Sequence, residues 1–230
     1  MSLNDRSYLS GQVLTHGGVG VQGSAGSRKV LRNTYLLLAM TLAFSAAVAG
    51  ISAALNLPHP GILITLVGYF GLLFAVSKFR DRALGVGLVF ALTGFMGYTL
   101  GPILNHYLAL PNGGEIVMMA MGGTAVIFLA MSAVALTSKR DFSFLGNFLM
   151  VGMLVAFLAG LAAIFFELPL LSLVVSAAFV LLMSGLILYE TQAIIQGGET
   201  NYVMATVSLF VSIYNLFTSL LQILGIFGDD

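Results

Sequence analysis

One carboxylate stands out among the residues that could do chemistry, because it lies within an apolar segment. Glu190 follows a long apolar run and comes about two helical turns before Gln196-Gly197-Gly198, where the run ends. Ionisable side chains are rare inside membrane segments and mark functional sites by default. Glu190 is therefore a candidate for gating or proton relay, with the alternative that it snorkels to the interface and bonds a neighbouring helix.

A stripe of polar side chains on the next apolar segment could face this carboxylate. Ser208, Ser212 and Asn215 recur at i, i+4 and i+7, which places them on one face of a helix. Across a tight turn such a stripe can hydrogen-bond the region of Glu190, although polar residues also join membrane helices without further function. We predict a pH-sensing or gating site composed of Glu190, Ser212 and Asn215.

A glycine-rich segment supplies a second feature. Gly97 and Gly101 form a GxxxG pattern, which lets two membrane helices approach closely. Pro102 follows directly and removes a backbone hydrogen bond, which predicts a break or kink in the helix. These three residues are predicted to be helix-packing and kink positions, and a structural kink is favoured over a transporter-like binding site.

The sequence contains no arrangement of residues typical of an enzyme. It has no Cys, and its three histidines, His16, His59 and His106, fall in the N-terminal segment or close to predicted loops. No Asp lies within a predicted span, so neither a Ser–His pair nor an aspartyl pair can form there. We predict no catalytic residue, no metal site and no cofactor, and therefore a protein that is not an enzyme.

The composition requires a membrane to position these residues. Of the 230 residues, 59% are hydrophobic and only 8% are charged, which excludes cytosolic enzymes, nucleic-acid-binding domains and disordered chains. We predict an all-α polytopic bundle, in which a flexible cytoplasmic tail (1–33) precedes a seven-helix transmembrane domain (34–230). The predicted spans, each long enough to cross the hydrocarbon core, are 34–56, 60–78, 83–106, 114–137, 144–166, 169–196 and 203–227.

The basic residues predict the orientation of this bundle. All nine Lys and Arg fall in the N-terminal tail or in the loops after the second and fourth spans, which share one side of the membrane under this topology. The positive-inside rule then places the N-terminus in the cytoplasm and Asp230 on the opposite, outer side of the membrane.

Several motifs resemble the Bax inhibitor-1 family, a family of seven-helix membrane proteins. Its signature segments are matched by residues 97–104 (GYTLGPIL), 189–192 (YETQ) and 209–217 (LFVSIYNLF). Residues 29–35 (KVLRNTY) and 197–202 (GGETNY) are more similar still to the bacterial YccA branch. The resemblance covers essentially the whole membrane part of the chain.

This resemblance implies a function and partners. Members of the YccA branch modulate the membrane AAA protease FtsH, which implies a regulatory protein of the bacterial inner membrane with the FtsH complex as partner in the lipid bilayer. The wider family implies, as the alternative, a pH-sensitive leak for Ca²⁺ or other cations, with protons as the signal. Leak-type members carry an aspartate pair in spans 6 and 7; Glu190 matches the first position, but Ser212 occupies the second. Because a proton-sharing pair needs two acids, this departure favours the regulator.

The predicted orientation can be tested with reporters fused after Asp230. Every basic residue is predicted to lie on the same side of the membrane as the N-terminus, so the C-terminus should lie in the periplasm. Alkaline phosphatase functions only in the periplasm and should therefore be active when fused there. A cytoplasmic reporter at the same position is the control and should be inactive. The opposite pair of results would contradict the seven-span topology.

Overall fold

The computed structural model describes residues 18–138 and 140–227, with side chains over 26–138 and 140–226. In this part of the chain, each of the seven helices is long and apolar enough to cross a membrane, which confirms the predicted all-α polytopic bundle. The helices are α1 (Gly18–Ala54), α2 (Ile62–Phe79), α3 (Ala83–Leu108), α4 (Gly113–Thr137), α5 (Leu145–Phe165), α6 (Pro169–Gln196) and α7 (Tyr202–Phe227).

The first helix begins earlier than the sequence analysis placed it. The predicted tail ended at residue 33, whereas α1 is helical from Gly18, and residues 1–17 lie outside the described part of the chain. The predicted boundary was placed where the apolar run begins, at residue 34. A helix can extend beyond an apolar run, because it needs only its own backbone hydrogen bonds to continue. No proline interrupts it here, and Val30 and Leu31 pack against the core.

Helix α7 is the centre of the bundle. It packs against α1, α2, α3, α4 and α6, while α1 with α3 and α6 with α7 form the most extensive pairs. The largest fully buried side chain in the described chain, Phe210, belongs to α7, and Leu209 and Leu216 on the same helix are also fully buried. Five of the other helices therefore pack around α7, while α5 packs against α6, and many large apolar side chains on the outside of the bundle are exposed.

Polar contacts join the loops at one end of the bundle, which we call the basic end. Asn201, before α7, donates a hydrogen bond of 2.8 Å to Asp81 in the turn between α2 and α3. Gly197, after α6, lies beside Ser27 of α1. Every Lys and Arg whose side chain the structure describes belongs to this end: Arg28, Lys29, Arg32, Lys78, Arg80, Arg82 and Arg140.

Gly97 and Gly101 lie where α3 crosses α1. A Cβ atom at Gly97 would lie 2.4 Å from the backbone oxygen of Ser45, and one at Gly101 would lie 2.4 Å from Oγ of Ser52. The two backbones therefore approach too closely for any side chain at these positions.

Pro102 lies inside α3, which continues to Leu108, so of the break and the kink that the sequence context allowed, the break does not occur. The missing N–H of Pro102 leaves the carbonyl of Tyr98, four residues earlier, without its helical partner. Oγ of Ser52 donates to that carbonyl at 2.9 Å. A hydroxyl from α1 thus replaces the lost bond, in the groove that Gly101 opens.

Substitution of Gly97 should distinguish this close crossing from lipid exposure. Gly97→Ala places a methyl group against the Ser45 backbone, which cannot move cheaply, and should destabilise the fold by about 1–3 kcal/mol. Gly87→Ala on the same helix is the matched control, because no atom lies within 4 Å of its Cβ position. Unfolding in detergent by increasing SDS measures both variants; equal stability of the two would place Gly97 outside a helix contact.

Candidate functional site

Glu190 lies near the basic end of α6, facing α7. Its carboxylate is half-buried and accepts a hydrogen bond of 2.7 Å from Oγ of Ser208. The two helices meet here because α6 ends in a tight turn. Gly197 adopts a positive φ of 79°, which suits glycine, and the N–H of Gly198 closes the helix end on the carbonyl of Ala193 at 2.8 Å.

The three residues of the predicted site, Glu190, Ser212 and Asn215, form separate hydrogen bonds. Ser212 is fully buried, and its hydroxyl donates to the Ser208 carbonyl of its own helix at 2.9 Å. Asn215 donates to the Val211 carbonyl at 2.8 Å. One helical face does carry the stripe, but Asn215 stands about 10 Å along α7 from Ser208, since each residue advances the helix by 1.5 Å. Within the described chain, Ser208 is therefore the residue of the stripe that bonds Glu190.

A second polar network, which the sequence analysis missed, lies beside Glu190. The hydroxyl of Tyr35 on α1 donates to Ser132 of α4 at 2.9 Å and lies 3.3 Å from the hydroxyl of Thr191 on α6. The neighbouring Thr34 is fully buried, and its hydroxyl has no hydrogen-bond partner among the described residues. Tyr35 could be recognised only once α1, α4 and α6 were known to meet, because its sequence neighbours give no such signal.

Gln192 anchors the loop between α4 and α5 to α6. Its side chain is almost completely buried; Nε2 donates to the Arg140 carbonyl, and Oε1 accepts from the N–H of Phe142 at 2.7 Å. Within that loop, hydrogen bonds from the side chain and backbone N–H of Ser143 lower the pKa of Asp141. The loop next to the site is therefore fixed by hydrogen bonds at both of these points.

The electrostatic surroundings of Glu190 contain acids and hydroxyls rather than a paired cation. The one ion pair within the described chain joins Arg80 to Asp81, at 3.7 Å. Glu199 is close enough to Glu190 for electrostatic repulsion, an acid that the sequence analysis did not consider. The described residues contain no group of three His, Cys, Asp or Glu that could hold a metal ion. What the site can do is titrate one carboxyl and exchange hydrogen bonds with hydroxyls.

Comparison with known proteins assigns the chain to a family. A family model described as an inhibitor of apoptosis-promoting Bax1 matches residues 27–229. The chain belongs to the Bax inhibitor-1 family. An Escherichia coli member, called modulator of FtsH protease YccA, is 53% identical over 204 residues, which are 89% of this chain and 93% of that protein.

Further members are similar over comparable lengths. An uncharacterized protein of Pseudomonas aeruginosa is 56% identical over 87% of this chain and 90% of its own length. An uncharacterized membrane protein of Vibrio cholerae is 43% identical over 89% of this chain and 92% of its own length. The Bax inhibitor-1 membership expected from the sequence motifs is confirmed, and the chain is a multi-pass membrane protein.

Proposed function

We propose that this Bax inhibitor-1 family member is a non-enzymatic regulator of the membrane protease FtsH in the bacterial inner membrane. The observation that carries the proposal is the 53% identity to the E. coli modulator of FtsH protease, which extends over 89% of the chain. Because the two sequences match over nearly their whole lengths, a common partner is the simplest account.

The arrangement of charge supports a cytoplasmic basic end. The described Lys and Arg residues lie together there, as the positive-inside rule requires of the side that faces the cytoplasm. We propose that the N-terminus lies in the cytoplasm, with residues 1–17 as the segment that an ATP-driven protease could grip. Exposed apolar side chains on the outer helices, such as Leu63, Met118 and Leu181, leave lateral surface for contact with another membrane protein.

The chemistry at Glu190 favours regulation over a calcium leak. Ca²⁺ prefers six to eight oxygen ligands with several carboxylates. The site instead offers the Glu190 carboxylate, bonded to Ser208, with Glu199 as one further acid whose carboxylate already accepts from the N–H of Asn201, and Ser212 directs its hydroxyl to its own helix. A cation would therefore meet too few charged ligands.

Co-reconstitution with FtsH tests the regulatory proposal. FtsH, a membrane substrate of FtsH and increasing amounts of this chain are placed in the same liposomes, and the initial rate of substrate degradation is measured. The rate should fall several-fold and saturate, because the chain occupies the protease by lateral contact. The matched control uses the same amounts with the chain in separate liposomes, where the rate should not change.

The same liposomes separate the regulator from the leak. With a calcium-sensitive dye inside, vesicles containing the chain should show the same flux as empty vesicles. Calcium flux above that level, together with an unchanged degradation rate, would overturn the proposal in favour of the leak.

We further propose that Glu190 gives the regulation its pH dependence, because it is the titratable carboxyl within the α6–α7 contact. Glu190→Gln keeps the side-chain shape and imitates the protonated form. The variant should therefore show, at every pH, the degradation rate that the wild type shows at low pH. Measurement of both proteins from pH 5 to 8 is the test, and a variant that keeps the wild-type pH profile would contradict a sensing role.

A further inference from the structure

A cleft opens between α2 and α5, towards the region that lipid would occupy. Its volume is ≈ 530 Å³, within the range of small-molecule sites. Across the described chain the backbones of these two helices do not approach each other, and the rings of Phe70 and Phe157 meet edge to face, with centroids 6.0 Å apart. α3, α6 and α7 form the rest of the wall.

The lining of the cleft is apolar and aromatic, and it contains no charged side chain. Five aromatic rings contribute to it, together with the thioethers of three methionines. A charged head group would lose its hydration here without gaining a counter-charge, which is costly. The rings are Tyr69, Phe70, Phe157, Phe179 and Tyr214.

Polar groups without full hydrogen bonding line the same cleft. Tyr69 makes no hydrogen bond within the described chain, and Asn215 uses one N–H on the Val211 carbonyl while its side-chain oxygen accepts none there. Thr34 provides the one fully enclosed side-chain atom that lacks a partner among the described residues. The Tyr69 hydroxyl and the Asn215 side-chain oxygen also lack partners there but are not fully enclosed. They are therefore accessible, and both residues border the cleft.

Tyr214 adds a third group beside these two. Thr99 donates its proton to the Met96 carbonyl at 2.8 Å, so the Tyr214 hydroxyl, 3.3 Å from Thr99, acts as the donor of that pair. Its lone pairs remain available, and Tyr214 lines the same cleft as Tyr69 and Asn215. An apolar cleft with a few convergent, uncharged hydrogen-bonding groups is the usual form of a ligand site.

We propose that this cleft binds a neutral, membrane-soluble molecule with a flat ring that carries carbonyl oxygens, of the benzoquinone type with an apolar tail. The ring would pack among the aromatic side chains and methionines. Its carbonyl oxygens would accept hydrogen bonds from the hydroxyl of Tyr69 and the second N–H of Asn215. The tail would leave through the opening between α2 and α5. This inference is independent of the proposed function.

A simple acyl chain fits these observations less well. It could fill the apolar walls, but it would leave Tyr69 and Asn215 without partners in a medium that supplies none. The two occupants therefore differ in whether these residues contribute to binding, and an experiment can separate them.

Because the chain has no Trp, a single introduced Trp is a specific fluorescent reporter. Leu154 and Val155 are adjacent on α5 and each 60% exposed, but only Leu154 borders the cleft. The Leu154→Trp and Val155→Trp variants are placed in nanodiscs and titrated with decylubiquinone, which quenches indole emission. We expect saturable quenching for Leu154→Trp and only the linear quenching of free partition for Val155→Trp.

Tyr69→Phe in the Leu154→Trp background tests the hydrogen bond. The hydroxyl has no partner within the described protein, so its removal should leave thermal stability unchanged while raising the half-quenching concentration about five- to tenfold. Asn215→Leu is the second variant and should weaken quenching similarly. Excess oleyl alcohol, which has no ring, should compete poorly.

Two outcomes would overturn the inference. Identical linear quenching of both Trp variants would show that the cleft does not bind the probe. Saturable quenching that neither Tyr69→Phe nor Asn215→Leu weakens, and that oleyl alcohol abolishes, would identify an acyl-chain site instead.

Discussion

The structure depends on one constraint: a central helix rich in polar side chains must satisfy them without help from the solvent. In hydrocarbon an unpaired polar group costs several kcal/mol. Four polar residues of α7, Thr206, Ser212, Asn215 and Thr218, meet this requirement locally, by donating to a carbonyl one turn earlier on the same helix. Others bond to neighbouring helices: Tyr214 to Thr99 of α3, Ser208 to Glu190 of α6 near the basic end, and Gln222 to Ser172 and Ser176 of α6 in the opposite half. The contacts with α6 join α6 and α7 at two levels.

The helices of the bundle differ in how closely they pack. The α6–α7 pair is held by polar contacts and the α1–α3 pair by glycine crossings, whereas α2 exposes most of its surface. Glu190 lies in the closely packed α6–α7 pair, where the hydroxyl of Ser208 holds it, and the lateral cleft lies between α2 and α5, with α3, α6 and α7 as its remaining wall. A protein that regulates a membrane partner can use both features. Neither lateral contact with a partner nor titration of Glu190 between α6 and α7 requires an ion-conducting path.

The sequence predicted the architecture because a membrane imposes strong rules on length and polarity. The apolar runs predicted all seven helices, and the isolation of Glu190 in such a run marked it as the unusual carboxyl. The partners of these residues were less accessible. Nothing local to Pro102 shows that Ser52 of another helix replaces its lost hydrogen bond, and Tyr69 looks like one aromatic residue among many. Which of Ser208, Ser212 and Asn215 meets Glu190 depends on the crossing of α6 and α7, which a periodic pattern does not define.

The central claim is that Glu190 is tied to Ser208 and not paired with position 212, and a double-mutant cycle tests it most directly. The free energy of unfolding in bicelles is measured for the wild type, Glu190→Leu, Ser208→Ala and the double variant, with a second cycle that uses Ser212→Ala. The account predicts a coupling energy of about 0.5–1.5 kcal/mol between Glu190 and Ser208 and none between Glu190 and Ser212. Coupling of Glu190 to Ser212 with none to Ser208 would contradict it.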